Sequence, residues 1–411
     1  MITKKKKGIK KLAIYALHPI IYQTQIFSSL QKVVGKKNLN LEVKVFFDSD
    51  LSLKQSFFHE INTSFKPDTP NLLIGYKYDF LFKYKVFSNY IFEKIYFLSR
   101  YIHAIRKINL FKPDAILIHG YQTLTSWVIF LYAKFYGIKI IWRGEVVGRI
   151  SEGLIRKQLK KILLFFYFRS CDAFLFSCSK NLNYLLDYGI PRDKLFFGPS
   201  AVNNSFFQNE YAKKKRKKNF YRALHHINQS DYVVLFCSRF TLRKCPFDLI
   251  MAASELKSRK NILLLFVGDG PERSKMENLC ELLKVRSLFV GFKNQSEISI
   301  FYTISDVLAI TSIYDPSPKV INEAMNFSLP IIASSEIGTV PDLVIHNTNG
   351  YVYDTRDVTQ LKKFIEKLSS NIKLRNNFGL QSKLIVSKWS HIRNARAIIE
   401  ALFFLRILNT N

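Results

Sequence analysis

An arginine and a lysine stand five residues apart directly after an apolar run at 232–237, in the segment Ser238-Arg239-Phe240-Thr241-Leu242-Arg243-Lys244. Arg239 offers a planar fork of donors and Lys244 a point charge. Two such cations in one strand-to-helix loop can clamp a diphosphate. The alternative is a solvated basic loop with no ligand.

The segment 314–325, YDPSPKVINEAM, predicts a helix whose first turn binds an anion. Ser317 is a suitable N-cap and Pro318 a suitable first helical residue. A helix start presents backbone N–H groups without intrahelical partners, and these attract negative charge. We expect the donors to be the amides of Lys319, Val320 and Ile321.

Two carboxylates flank this predicted turn. Asp315 precedes it, and Glu323 lies four residues after Lys319, on the same helix face. The alternative is that Lys319 and Glu323 form an ordinary surface ion pair and that Asp315 is a turn residue.

Two glycine-containing turns follow later strands, at Gly268 in the segment 267–271 and at Gly338-Thr339 in the segment 336–342. Glycine permits a close approach of the backbone to a phosphate, but any tight turn could use it. In the first half, His18, His119 and the triplet Arg143-Gly144-Glu145 end three predicted strands, which indicates a shared cleft.

The elements that must position these residues are short apolar runs that alternate with amphipathic stretches of helical length. This alternation is typical of α/β domains with parallel sheets, in which ligands bind beyond the carboxyl ends of the strands. The predicted strands are 12–17, 42–47, 115–118, 139–142, 173–177, 194–197, 232–237, 262–267, 288–290, 307–310, 330–333 and 350–352.

A basic segment without strong apolar periodicity, at 208–231, predicts a boundary between two domains. We therefore expect a first domain at 1–208, a linker at 209–230, a second domain at 231–388, and a terminal segment at 389–411 whose apolar residues predict a helix.

The composition excludes several classes of protein. The 411 residues are 48% hydrophobic and 23% charged, which is too apolar for a disordered chain and too interrupted by charge for a multi-span membrane protein. The amino terminus lacks the apolar core of a signal peptide, and the uncharged window 115–133 carries too many polar groups for a membrane span. Five cysteines without metal-ligand spacing favour a reducing cytosol.

The net charge of +31 predicts anionic partners. One is an anionic membrane face, because the stretches 157–169 and 84–106 combine lysines with aromatic residues. The alternative is that residues 163–168 face the core of the first domain. A nucleic-acid partner is disfavoured, since the basic residues are scattered and no binding module is present.

The order Arg239…Lys244, then 268–271, then Asp315-x7-Glu323-Ala324-Met325, then 338–342 resembles the second domain of retaining glycosyltransferases of family 4, which have the GT-B fold. The first half resembles a bacterial branch of this family. That resemblance rests on HPIIYQTQIF at 18–27, LLIGYKYDFL at 72–81, KPDAILIHGYQ at 112–122, RGE at 143–145 and GPSAVNNSFF at 198–207.

The resemblance implies two Rossmann-like domains facing across a cleft, with a terminal helix that returns to the first domain. It also implies roles for single residues. Arg239 and Lys244 would hold the diphosphate, Glu323 the ribose, and Asp315 and His119 the donor sugar. The helix start at 319–321, Gly268, and Gly338 with Thr339 would lie along the bound nucleotide sugar.

His18, Tyr22, Arg143 and Glu145 would form the acceptor side of the cleft. The sequence departs from the family pattern at Asp315, where the family has Glu, at Pro316-Ser317, where it has Gly-Phe, and at Cys245, where Gly follows the lysine.

The function implied is a metal-independent transfer, of the hexosyltransferase class EC 2.4, from a nucleotide-diphosphate sugar to a sugar or lipid-linked hydroxyl with retention of configuration. It would serve surface polysaccharide or glycolipid synthesis. We expect no cofactor and no metal, and we interpret Asp48-Ser49-Asp50 as a chance match to a metal-binding triplet. The alternatives are a nucleotide-sugar hydrolase or epimerase, or a nucleic-acid-binding protein. The expected location is cytoplasmic, peripheral on the inner face of the plasma membrane.

Overall fold

A computed structural model of the chain describes residues 8–50, 56–58, 63–65, 72–82, 90–148, 154–256 and 261–409. The basic start at 1–7, the part of the predicted 84–106 stretch at 84–89, and the side chain of Lys157 lie outside the described residues. All twelve predicted strands are present, each with bounds within about two residues of the prediction. The predicted α/β class, with two parallel-sheet Rossmann-like domains, is confirmed.

The strands of the first domain are β1 (Lys10–Ala16), β2 (Leu41–Ser49), β3 (Ser56–Phe58), β4 (Thr63–Phe65), β5 (Lys77–Phe82), β6 (Ala115–His119), β7 (Lys139–Arg143), β8 (Ala173–Phe176) and β9 (Leu195–Phe197). Seven form one sheet in the order β5-β2-β1-β6-β7-β8-β9 with every pairing parallel, and β3 and β4 form a separate hairpin. The edge strand β5 was not predicted. Its Lys77 and Asp79 interrupt the apolar pattern because they form ion pairs with Glu42 and Lys44 of β2.

The helices of the first half are α1 (Ile21–Lys36), α2 (Tyr90–Phe111), α3 (Leu124–Phe135), α4 (Leu154–Arg169), α5 (Ser179–Asp187), α6 (Asn204–Lys214) and α7 (Lys218–Leu224). Apolar side chains of α2, α3 and α4 pack on one face of the first sheet. Those of α1 pack on the other face.

The second domain contains β10 (Tyr232–Cys237), β11 (Ile262–Val267), β12 (Ser287–Phe289), β13 (Val307–Ile310), β14 (Ile331–Ser334) and β15 (Gly350–Tyr353), paired in parallel in the order β12-β11-β10-β13-β14-β15. Its helices are α8 (Pro246–Ser254), α9 (Arg273–Leu282), α10 (Gln295–Ile304), α11 (Lys319–Asn326), α12 (Val340–Leu343), α13 (Val358–Ser369) and α14 (Ile372–Ser387). All six residues of β10 and of β11 are buried, as expected for strands covered by helices on both faces.

A final helix, α15 (His391–Phe404), follows the second domain in sequence but packs against α1 and the first sheet. Its apolar residues, Ala395, Ile398, Ile399 and Leu402 among them, belong to the same core as β1 and β2.

The basic segment between the domains is helical where we expected a linker. Helices α6 and α7 pack on α10, and Arg222 of α7 is buried, donating to the Asp306 carboxylate at 2.6 Å and to the Ile304 carbonyl oxygen at 2.8 Å. The apolar periodicity is weak here because one buried arginine does part of the packing that apolar residues would otherwise do.

Each sheet has one point where the strand order changes direction. In the first sheet it lies between β1 and β6, and in the second between β10 and β13. The loops that follow such a pair of strands diverge and leave a crevice between them. A ligand site is therefore expected where these loops meet.

No helix within the described ranges combines the length and the apolar character that a bilayer span requires. The five cysteines are all buried and form no disulfide.

Candidate active site

The crevice of the second domain brings Lys244 and Asp315 into direct contact. Lys244 ends a short 3-10 turn after β10, and Asp315 lies in the loop after β13. The Lys244 ammonium donates to the Asp315 carboxylate, and each side chain is 12% exposed. The Thr311 hydroxyl donates to the Lys244 carbonyl oxygen at 2.8 Å and holds the two loops together.

Cys245 stands where the family pattern has a glycine after the lysine. Its φ of 48° lies in the left-handed region, which glycine adopts at the lowest cost. This conformation turns the chain from the 3-10 turn into α8. Glycine, which follows the lysine in the family pattern, adopts this conformation more readily, and here a cysteine adopts it.

The backbone around Asp315 is held by the loop after β14. The Gly338 N–H donates to the Asp315 carbonyl oxygen at 2.8 Å, and a Cβ atom at Gly338 would lie only 2.1 Å from the Pro316 carbonyl oxygen. Gly338 therefore permits two loops to touch, and its N–H group is not directed to a ligand. Thr339 beside it is fully buried.

Helix α11 begins at Lys319 with Pro318 as N-cap, one residue later than we expected, and no side chain caps it. Pro316 and Pro318 flank Ser317, and Pro318 has an extended ψ of 115°, so the helical conformation starts only after it. The Ile321 N–H donates to the Pro318 carbonyl oxygen at 3.3 Å. The open helix start thus consists of the amides of Lys319 and Val320, without that of Ile321.

Lys319 crosses the cleft to the first domain. Its ammonium lies 3.0 Å from the Glu145 Oε2 atom and also contacts the Ser200 hydroxyl. Burial raises the pKa of Glu145, but Lys319 and Arg143 outweigh that effect and hold it below the usual value. Lys319 is therefore paired with Glu145 of the opposite domain, and not with Glu323 as its spacing suggested.

Glu323 is buried and accepts two tyrosine hydroxyls. Tyr22, from the first domain, donates to Oε1 at 2.7 Å, and Tyr302, from α10, donates to Oε2 at 2.7 Å. Burial raises the pKa of Glu323, and the two hydroxyls and Lys319 only partly offset it. Tyr22 of the first domain therefore covers one oxygen of this buried carboxylate.

The carboxyl ends of β1 and β6 carry His18 and His119. The ring of His119 packs edge-on against Phe27, with the centroids 5.8 Å apart. Burial, with the positive charge of Arg143, lowers the pKa of His119 well below its usual value, so the imidazole is neutral at physiological pH. Burial also lowers the pKa of His18.

Two of the predicted site residues lie in packing contacts. Arg143 is 4% exposed, and its guanidinium donates to Asn394 of α15, so it ties the last helix to the first sheet. At Gly268, with φ of 133°, a Cβ atom would lie 1.9 Å from the Ser238 carbonyl oxygen. That glycine brings the loops after β10 and β11 together. Arg239 lies in the first of these loops, half-buried.

A cleft of about 800 Å³ separates the domains beside the Asp315 loop. Its second-domain wall is Tyr314, Asp315, Pro316 and Ser317, and its first-domain wall is Tyr121, Gln122, Glu145, Val146, Gly148, Lys160, Lys161, Tyr184 and Tyr188. Tyr121 lies in the quoted segment 112–122, and Lys160 and Lys161 lie in the stretch 157–169, but the sequence did not assign them to the cleft. No motif marks Tyr184 or Tyr188. Sequence reasoning also missed Ser200 and Tyr302. Ser200 lies in the quoted segment 198–207, but nothing in the sequence marked Tyr302.

Asp48, in the triplet 48–50, accepts from the Tyr15 hydroxyl at 3.1 Å and lies 3.7 Å from the Arg100 guanidinium. Within the part of the chain that the structure describes, no group of three or more His, Cys, Asp or Glu side chains is arranged to hold a metal ion.

The chain is similar to known glycosyltransferases in sequence and in fold. The family model of glycosyl transferases group 1 matches residues 217–384. An uncharacterized glycosyltransferase of Methanocaldococcus jannaschii, MJ1607, is 30% identical over 213 residues, which cover 50% of this chain and 54% of that protein. The alpha-monoglucosyldiacylglycerol synthase of Acholeplasma laidlawii is 28% identical over 260 residues, covering 59% and 63%. The chain spans about half the length of the curated relatives it matches.

A solved structure extends the similarity to both domains. Anabaena Alr3699/HepE, crystallised in complex with UDP, superposes with a TM-score of 0.70 over 96% of this chain and 99% of that chain, at 14% identity. The superposition shows that the two proteins share the GT-B arrangement of two Rossmann-like domains, and at this identity it shows the fold alone.

Proposed function

We propose that the chain transfers a sugar from a nucleotide-diphosphate sugar to a hydroxyl acceptor with retention of configuration, because residues 217–384 match the family model of glycosyl transferases group 1 and the two domains have the GT-B fold. The observation that carries the proposal is the meeting of Lys244 with Asp315 at the crevice of the second sheet, beside the open start of α11. Open parallel sheets bind their ligands at this kind of crevice.

The proposed donor site combines cations with backbone amides. Arg239 and Lys244 would neutralise the diphosphate, and the amides of Lys319 and Val320 at the start of α11 would add the partial positive charge of a helix N-terminus. Lys244 must then leave Asp315, or bridge it to the phosphate, when the donor binds. Asp315 released in this way can accept hydroxyls of the donor sugar.

The nucleoside end of the donor would lie at Glu323. Its two oxygens already accept hydroxyl groups from Tyr22 and Tyr302. A ribose offers hydroxyls of the same hydrogen-bonding character, so it can replace the Tyr22 hydroxyl. Neutral His119 at the end of β6 would contact the donor sugar from the other side of the cleft.

In the proposed mechanism the acceptor hydroxyl attacks from the side of the leaving diphosphate, which takes the hydroxyl proton. The bond from the anomeric carbon to the diphosphate oxygen breaks, and a bond to the acceptor oxygen forms on the same face. Catalysis then consists of positioning and of stabilising the charge that develops on the leaving group. Cationic side chains and helix amides supply that stabilisation, so we propose a reaction without a metal ion.

The acceptor is proposed to be a sugar or lipid-linked hydroxyl, in surface polysaccharide or glycolipid synthesis. The Acholeplasma relative is named as a synthase of a glycolipid, which supports this class of acceptor. A cytoplasmic protein that is peripheral on the inner face of the plasma membrane would meet both donor and acceptor.

The donor is tested by thermal unfolding of the full chain with a panel of nucleoside diphosphates, of which UDP is the first probe because the Anabaena structure binds it. A ligand at a hundred times its Kd adds about 2.7 kcal/mol to the unfolding free energy. We expect one nucleotide to raise the Tm clearly above the others. No shift with any of them would contradict the proposal.

The reaction class is tested by product analysis with the matching nucleotide sugar. A transferase gives a glycosylated product only when acceptor is present, with the anomeric configuration of the donor. Free sugar formed equally fast without acceptor would indicate a hydrolase, and an isomerised nucleotide sugar would indicate an epimerase. Inverted configuration would refute the same-side mechanism.

A further inference from the structure

Helix α4 has two apolar faces, whereas a surface helix usually has one. Leu164, Tyr167 and Phe168 are buried in the first domain. On another face, Leu159, Ile162, Leu163 and Phe166 are 54–64% exposed. These four residues follow the spacing i, i+3, i+4, i+7, so they form one continuous stripe along the helix. We call them the α4 stripe.

The charges that α4 and its neighbour α3 carry are all positive. Helix α4 contains no acidic residue, and Lys161 and Arg169 are exposed on it. The neighbouring helix α3 also has no acidic residue and exposes Leu131 and Phe135. The two helices are in contact, because the ring of Tyr167 stacks on Phe130 with centroids 4.3 Å apart.

The occupant of this surface must therefore be apolar where it meets the stripe and negatively charged beside it. A second copy of the chain would bring the same positive charge against itself, since each copy has a net charge of +31. A nucleic acid is negatively charged but offers no apolar surface to four side chains. A bilayer of anionic lipids has both properties.

Helix α4 also borders the proposed active site. Lys160 and Lys161 lie in the wall of the interdomain cleft, opposite Asp315 and Ser317. Lys160 and Lys161 lie about 110–150° around the helix from the centre of the α4 stripe, so the cleft borders a different side of the same helix.

We propose that the α4 stripe docks the protein on an anionic lipid bilayer, which brings the interdomain cleft close to an acceptor held in that bilayer. The docking surface stands on the exposure and charge of α4. The statement about the acceptor rests on the proposed transferase function.

The test is sedimentation of the full chain with vesicles of phosphatidylcholine, with and without phosphatidylglycerol. We expect binding only to the vesicles with phosphatidylglycerol, weakened by salt. The double variant Leu163→Glu/Phe166→Glu removes two apolar contacts and adds two negative charges, so its binding should fall at least about tenfold. The milder Phe166→Ser should give an intermediate loss.

The matched control is Leu282→Glu on α9 of the second domain, where the leucine is 76% exposed. It makes the same change of residue type far from α4 in sequence and should bind vesicles like the unmodified chain. Equal losses in the control and the α4 variants, or undiminished binding in the double variant, would overturn the proposal. So would a stable dimer that the double variant dissociates, since the stripe would then bind a second copy.

The nucleoside diphosphate shift in Tm is measured on the same variants and should be unchanged. If the unmodified chain binds vesicles through the stripe but no nucleotide stabilises it, the transferase proposal fails and the docking surface stands. If nucleotides stabilise the chain but no vesicle binds, the docking proposal fails alone.

Discussion

Lys244 and Asp315 form a pair that combines structure with proposed chemistry. Each side chain is only 12% exposed, so the charges attract in surroundings of reduced polarity. The pair holds Lys244 where a diphosphate would bind while the site is free of ligand. When the nucleotide sugar binds, Lys244 would exchange the Asp315 carboxylate for the diphosphate. The exchange is favourable because the diphosphate carries two negative charges and the carboxylate one.

Replacement of Lys244 by alanine is expected to lower turnover about 10²–10³-fold, because one charged contact to the leaving group is lost. Arg239→Ala should act in the same range. Both rates are measured with the nucleotide sugar identified by the thermal panel. The control is Lys275→Ala on α9, whose side chain is 71% exposed and pairs with Glu272. Near-normal turnover in Lys244→Ala and Arg239→Ala would contradict their assignment.

Glu323 and Tyr22 give the second prediction for a single residue. Since Tyr22 donates to the oxygen that a ribose hydroxyl would use, Tyr22→Phe removes a competing hydrogen bond to a carboxylate. Such a bond contributes about 1.5–3 kcal/mol, so the Kd for the donor should fall about tenfold or more.

The contrasting variant is Tyr302→Phe, which leaves the buried Glu323 Oε2 atom without its hydrogen bond. This variant should lower the Tm without tightening the binding of the nucleotide sugar. Donor affinity is measured by calorimetry. Weaker donor binding in Tyr22→Phe would show that the Tyr22 hydroxyl contacts the donor and does not compete with it.

At the scale of elements, the site depends on strand-end loops that touch one another. The loop after β14 packs on the loop after β13 through Gly338, and the loop after β11 packs on the loop after β10 through Gly268. The two glycines that resembled ligand-binding positions are needed first for these contacts. Through these contacts the two glycines set the positions of the loops that carry Asp315 and Arg239.

Gly338→Ala is expected to destabilise the protein by about 1–3 kcal/mol, because its Cβ atom would overlap the Pro316 carbonyl oxygen and the backbone would have to move. Displacement of Asp315 should lower turnover as well. Gly35→Ala in α1 is the matched control, since a Cβ atom there meets nothing within 4 Å and alanine favours the helix. Thermal unfolding should show a lower Tm for the first variant and an equal or higher Tm for the second.

Helix α15 is held to the first domain by a buried histidine. His391 is 7% exposed, and its Nε2 atom lies 3.2 Å from the Ala201 carbonyl oxygen. Burial is the main cause that lowers the pKa of His391 to about 4, with Arg143 and Lys319 acting in the same direction. The folded protein therefore holds this imidazole neutral.

Stability should fall as the pH falls from 6.5 to about 4, because in this range the unfolded chain binds a proton at His391 that the folded chain excludes. The loss is on the order of 3 kcal/mol from this residue. His391→Gln keeps a donor for Ala201 and should flatten the pH dependence of the Tm. His103→Gln, at an exposed position of α2, should leave it unchanged. His119 and His18, whose pKa values burial also lowers, leave part of the pH dependence in place. The same pH dependence in His391→Gln as in the unmodified chain would assign the whole effect to such other groups.

At the scale of the whole molecule, polar contacts join the two domains. Lys319 contacts Glu145, 174 positions away in the chain, and Tyr22 contacts Glu323, 301 positions away. Lys319 and Glu323 are both residues that the resemblance assigns to the donor site, so in the proposed reaction donor binding would break contacts between the domains. The positive charge of the first domain then lies at the mouth of that cleft, on α4.

The twelve predicted strands and the parallel α/β class followed from the chain alone, since apolar runs, turn residues and the order of motifs are local properties. The crevice positions of Lys244 and Asp315 followed too, because parallel strands bring their carboxyl ends to one edge of a sheet. Packing between distant segments decided the rest. It buried Arg143 against Asn394, turned the expected linker into helices around Arg222, and joined Tyr22 to Glu323. It also left one apolar face of α4 exposed, because periodicity reveals that a helix is apolar but not which of its faces the sheet will cover.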